Sequence, residues 1–141
     1  MRSSPATTVA ERIVVDASAL VDVLVGTSYA AAVRDRLHET AWHAPAHIDA
    51  EVLSAVGRLA RAERLSEADV RARLELLASL PLQRYLLPAL LSGAWARRAD
   101  LRLVDALYVE LAHQLDAPLI TTDQRLARAT PLADPVRPDA R

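Results

Sequence analysis

Four short apolar runs, RIVVDA (12–17), AWHAP (41–45), LQRYLL (82–87) and APLITTD (117–123), alternate with segments of helical spacing. No other feature constrains the fold as tightly. Strands joined through helices are parallel, since a parallel pair needs a long crossover, and a parallel sheet needs both faces covered. The alternation therefore predicts an α/β chain of three α/β/α layers, with four or five parallel strands and about seven helices over residues 1–141.

The intervening segments carry helix punctuation. SALVDVLVG ends on Gly26, suited to a left-handed terminator, and the Ala-rich SYAAAVRDRLHE follows it. Pro45 closes one strand and opens AHIDAEVLSAVGRLARAE, where Ile48, Val52, Ala55, Val56 and Leu59 recur at helical spacing. Ser66 and Asp69 make a capping-box-like start to SEADVRARLELLASL, which Pro81 stops. Pro88 opens ALLSGAWARRA, RLVDALYVELAHQLD is the most regular helix, and QRLARA is a short last one. Residues 1–10 and 131–141 are expected to be loose ends of one domain.

Composition removes several chemistries. There is no cysteine, so a metal would be held by oxygen or imidazole, and His38, His43, His47 and His113 have no metal-like spacing. All 17 basic residues are arginine, which counts against phosphate-binding loops and phosphoryl-Asp enzymes that rely on lysine. The net charge of −1 counts against a constitutive nucleic-acid binder. With no secretory pattern and no apolar run of spanning length, the expectation is a cytoplasmic protein with no membrane partner.

The acids carry the functional signal. Asp16 ends an apolar strand two residues before Ser18, and Asp123 ends another before QRLARA. Taken singly, each serves as a helix N-cap. Asp105 flanks the stripe Val104, Tyr108, Leu111, Ala112 and Leu115, with Glu110, His113 and Gln114 on the wet face. Glu51 edges the stripe Ile48, Ala55 and Leu59, and the helical wheel does not separate it from Asp49. In doubly wound sheets ligands bind outside the carboxyl ends of the strands, where Asp16 and Asp123 stand. Carboxylates gathered there repel unless a cation joins them, and an oxygen-only set suits Mg²⁺ or Mn²⁺ and phosphoryl chemistry. Asp22, one turn beyond Ser18, is expected to be exposed, and Trp42, Trp95 and Tyr108 to belong to core or interface. The arginine groups 58, 61, 64 and 97, 98, 102 are expected to be solvated, with phosphate contact as the other reading.

The ordered set VVDASALVDVL, AHIDAEVLSAVGRL, RLVDALYVELA and LITTDQRLA resembles the PIN-domain ribonucleases, and within them the VapC-type toxins of bacterial toxin–antitoxin modules, over about residues 12–130. The resemblance implies a PIN-like fold with catalytic Asp16, Glu51, Asp105 and Asp123. It makes Asp16, Asp105 and Asp123 the metal ligands, with Ser18 and Thr121 as supporting hydroxyls. It prefers Glu51 to Asp49 because Glu51 precedes VLSAVGRL. It further implies Mg²⁺ or Mn²⁺ as cofactor, RNA as substrate, a cognate antitoxin as partner and a homodimer. The tail TPLADPVRP matches the family's short final strand poorly, which leaves the fifth strand open. The alternatives are a catalytically silent PIN scaffold binding RNA or protein and a structure-specific DNA nuclease of the same wider fold, for whose usual insertions the chain has no room.

Overall fold

The computed structural model describes residues 9–138. Chain order is β1 (Glu11–Val15), α1 (Ala17–Val25), α2 (Ala30–Leu37), β2 (Thr40–Pro45), α3 (Ile48–Arg61), α4 (Glu67–Ser79) and β3 (Leu82–Tyr85). A single 3-10 turn (Pro88–Leu90) leads to α5 (Leu91–Ala96), α6 (Leu103–Leu115), β4 (Leu119–Thr121), α7 (Gln124–Ala129) and β5 (Ala133–Pro135). The strands form one sheet in the order β3-β2-β1-β4-β5, parallel at every pairing, and the helices surround it.

That order places the site. The chain winds outward from β1 through β2 to β3, then crosses back to start β4 on the other flank of β1. The winding direction reverses between β1 and β4, and a crevice opens outside their carboxyl ends. Val14 pairs with Leu119 and Val15 with Ile120, so the residues after these strands, Asp16 and Thr121–Asp123, emerge side by side.

Hydrophobic burial holds this edge in place. Ile13, Val14 and Val15 of β1 are fully buried, as are Leu119 and Ile120 of β4. α6 is buried continuously from Ala106 to Ala112 and packs on β1, β2 and β4, while α1 packs on α2, α3 and α4. Fully burying one such aliphatic side chain contributes about 1.5–3 kcal/mol before entropy is charged. Local punctuation agrees with the sequence: Gly26 closes α1 at φ 84°, and Ser66 with Asp69 forms a complete capping box on α4.

Three expectations are corrected. Residues 131–138 are not a loose end, because Ala133–Pro135 add β5 to the sheet edge, with the Leu119 N–H donating to the Leu132 carbonyl and the Val136 N–H to the Thr121 carbonyl. Arg36 donates to both Asp134 and Glu11, at 2.8 and 2.7 Å, and so ties this strand to β1. A proline is tolerated there since an edge strand has one unpaired side. Residues 1–8 and 139–141 of the expected loose ends lie outside the described residues. Second, Glu110 is buried rather than wet, held by Arg97 and Gln114 over Gly93, while Val104 of the expected apolar stripe is exposed. Burial on α6 extends around the helix because α5 covers the side that Glu110 occupies. Third, Asp22 is half-buried rather than exposed, since its carboxylate accepts from the hydroxyls of Thr27 and Thr122.

Candidate active site

Asp16 is set by two local demands. Its extended backbone ends β1 and starts α1, and its carboxylate caps that helix by accepting the Ala19 N–H at 2.9 Å. Three further contacts come from neighbours: the Ser18 hydroxyl lies 2.7 and 2.9 Å from its two oxygens, and the Thr121 hydroxyl donates to Oδ2 at 2.6 Å. The Asp123 N–H donates in turn to Thr121 Oγ1, so Thr121 fastens the ends of β1 and β4 together. Asp16 is only 4% exposed. Burial pushes its carboxyl up to about 6, against the pull of the Thr121, Ala19 and Ser18 bonds, and the charge of Asp123 adds to the rise.

Asp123 caps α7, accepting from the backbone of Arg125 and Leu126. Asp105 stands in the first turn of α6 and accepts from Arg102 Nε at 3.0 Å. Glu51, in the first turn of α3, accepts the Tyr108 hydroxyl at 2.6 Å, with His47 Nε2 3.2 Å from the same oxygen. Burial acts to raise the Glu51 carboxyl, but these two contacts outweigh it and hold the group below its ordinary range. Burial and the Glu51 carboxylate both push the Tyr108 phenol up, so it remains a donor.

The expected residues converge. Asp16, Ser18, Glu51, Asp105 and Asp123 line one cavity of about 410 Å³, together with Asp22, Arg58, Arg102, Tyr108 and Thr122. Thr121 lies beneath it, fully buried against Asp16. Asp49 is elsewhere, paired with Arg84 at 2.7 Å and lining a separate depression with Leu53 and Leu77. A second depression of about 200 Å³ shares Arg102, Asp105 and Asp123 with the first and adds Arg125. The sequence pattern assigns no site role to Tyr108 or His47, and offers Arg102 only phosphate contact as its second reading. Tyr108 was hidden by its place in an apolar stripe. His47 stands four residues before Glu51, a spacing that puts both on one helix face and was the available signal.

The donor chemistry suits a hard divalent cation: carboxylates and hydroxyls, with one desolvated Asp crowded by another. The arrangement is not a finished cage. Among the described residues no group of three or more Asp, Glu or His side chains is placed to hold an ion. Arg102 stands against Asp105, and Asp123 is engaged with its helix. A cation held by Asp105 would compete there with Arg102, which contacts only Oδ2 and whose side chain is 67% exposed.

A parallel sheet whose switch-point crevice carries acids from β1, α3, α6 and the end of β4 defines a class of α/β proteins with an oxygen-donor site at the carboxyl edge. The chain belongs to the PIN domain family, which matches residues 13–131, and within it to the VapC-type proteins. It is 59% identical to Ribonuclease VapC3 of Mycobacterium tuberculosis over 94% of this chain and 97% of that one. Ribonuclease VapC1 of the same organism is 44% identical over 82% and 89%. Two solved structures share the fold: PAE2754 from Pyrobaculum aerophilum, with TM-score 0.64, 24% identity and coverage of 88% and 82%, and VapBC2 from Rickettsia felis bound to a DNA fragment from its promoter, with TM-score 0.62, 13% identity and coverage of 86% and 95%.

Proposed function

We propose that the chain is an endoribonuclease toxin of a type II toxin–antitoxin module, hydrolysing RNA phosphodiester bonds with Mg²⁺ or Mn²⁺. The observation that carries this reading is the convergence of Asp16, Glu51, Asp105 and Asp123 on one cavity. The names of the relatives at 59% and 44% identity, both ribonucleases, support it.

Asp16, Asp105 and Asp123 would hold the cation, with Ser18 and Thr121 orienting Asp16. When bound, such an ion lowers the pKa of water and stabilises charge in an in-line displacement at phosphorus. Arg102, once released from Asp105, is placed to meet a phosphate at the cavity rim, and Arg58 lines the same rim. A cognate antitoxin is the expected inhibitor, in line with solved toxin–antitoxin complexes of the same fold from Klebsiella pneumoniae and Rickettsia felis. The chain is proposed to dimerise and to act in the cytoplasm. No helix among the described residues is long and apolar enough to cross a membrane.

The test is RNA cleavage by purified protein with and without Mg²⁺ or Mn²⁺. Asp16→Asn and Asp105→Asn are expected to cut at least about a hundredfold more slowly while keeping the parent's circular dichroism, because each removes charge from the cation site. Expression of the parent, and not of Asp16→Asn, should arrest a bacterial host. Folded variants that cut at the parent's rate would overturn the site. A parent that binds RNA and never cuts it would establish the silent scaffold.

A further inference from the structure

Glu51 is held differently from the other three acids. Tyr108 Oη and His47 Nε2 both address one oxygen, Oε1, at 2.6 and 3.2 Å, and among the described residues no donor reaches Oε2. His47 Nε2 also lies 3.0 Å from the Val104 carbonyl. Both neighbours of that nitrogen are acceptors, so it carries the proton, while Nδ1 is buried without a partner. The imidazole leans on the Tyr108 ring, with centroids 4.7 Å apart, and Tyr108 is itself 1% exposed. The result is a packed pair, the Tyr108 hydroxyl donating to Oε1 and the His47 ring, anchored on the Val104 carbonyl, held beside it.

We propose that Tyr108 and His47 are positioning residues that clamp Oε1 of Glu51 and so present Oε2, in a fixed direction, to a water in the cavity. The proposal rests on the hydrolytic reading of the site. A carboxylate free at both oxygens rotates about its last torsion, whereas one anchored at a single oxygen offers the other in one orientation. In hydrolysis the water oxygen bonds to phosphorus and its proton passes to Oε2. The bond from phosphorus to the departing ribose oxygen breaks, and that oxygen is protonated from solvent. The clamp also favours the ionised carboxylate, since the Tyr108 hydroxyl donates to Oε1 and the His47 N–H, bonded to the Val104 carbonyl, lies beside the same oxygen. The titratable and charged groups around Glu51 are His47 and Arg58 on its own side, Arg102 just before α6, Asp105 and Tyr108 on α6, Asp16 and Asp22 at and after the end of β1, and Asp123 after β4.

The experiment compares parent, Tyr108→Phe, His47→Ala and His47→Gln in RNA cleavage across pH, with the Glu51 carboxyl followed by ¹³C NMR in metal-free protein. Tyr108→Phe is expected to lower kcat about tenfold with KM within twofold, and to move both the acid limb of the kcat profile and the Glu51 titration upward by about half a unit or more. His47→Gln keeps a donor and should recover most of what His47→Ala loses. Unchanged kcat in Tyr108→Phe, or a lower kcat with an unmoved acid limb, overturns the clamp. If the parent cleaves no RNA, the hydrolytic reading falls and the catalytic role with it, while an unmoved Glu51 titration would separately dismiss the clamp.

Discussion

Asp16→Asn should make the metal-free protein more stable at neutral pH. The Asp16 carboxyl rises from 3.8 to about 6 on folding, because its oxygens leave water for a site only 4% exposed. At about 1.36 kcal/mol per unit, that difference means ionised Asp16 costs the native state on the order of 3 kcal/mol. Its sign follows from proton binding. The native carboxyl holds its proton more tightly than the unfolded one, so the associated stability is full below pH 3.8, declines as pH rises and is lost above about 6. An asparagine carries no charge in either state and escapes this penalty. Its carbonyl can keep the Ala19 cap, while its amide meets the Ser18 and Thr121 hydroxyls less well, a mismatch of about 1 kcal/mol. The net gain at pH 7.5 is about 2 kcal/mol, or roughly 4–8 °C in Tm. Melting curves in chelator at pH 7.5 and 4.5 read the effect: the variant should lead at the higher pH and lose its lead at the lower. Adding Mn²⁺ should then raise the parent by mass action, about 2.7 kcal/mol at a hundredfold excess over Kd, and leave the variant nearly unmoved. A variant that melts below the parent in chelator at pH 7.5, or by a margin independent of pH, would refute the reasoning, because a plain helix cap that loses its charge is neutral or weakened.

Asp49→Asn should leave RNA cleavage within twofold of the parent while costing about 1 kcal/mol in denaturant melts, since it breaks only the partly exposed Arg84 pair. Gly93→Ala should destabilise by about 1–3 kcal/mol, because a Cβ there would overlap the Glu110 carboxylate, which is buried and held by Arg97 and Gln114; unchanged stability would show that Glu110 moves freely. Arg102→Gln should tighten Mn²⁺ two- to fivefold in calorimetric titration, roughly 0.5–1 kcal/mol, since the ion no longer displaces a guanidinium from Asp105.

The strand and helix alternation, the capping box at Ser66 and the terminator at Gly26 are local patterns, and the chain alone determined them. So were the strand ends that carry Asp16 and Asp123, and with them the edge of the sheet where a site would form. The partners of those acids were not legible. Asp49 and Glu51 stand two residues apart, about 200° around a helix, so they flank the apolar stripe from opposite sides and periodicity treats them alike. Packing chose between them: α3 turns Glu51 toward Tyr108 and the cavity, and Asp49 toward Arg84 on β3. The short strand β5 and the burial of Glu110 were likewise decided by distant residues, Arg36 on one side and Arg97 on the other. A helical or strand period records which side of an element is apolar. Which neighbour waits at the edge of that side depends on how elements far apart in sequence rotate and cross as the core closes, and only the assembled sheet contains that information.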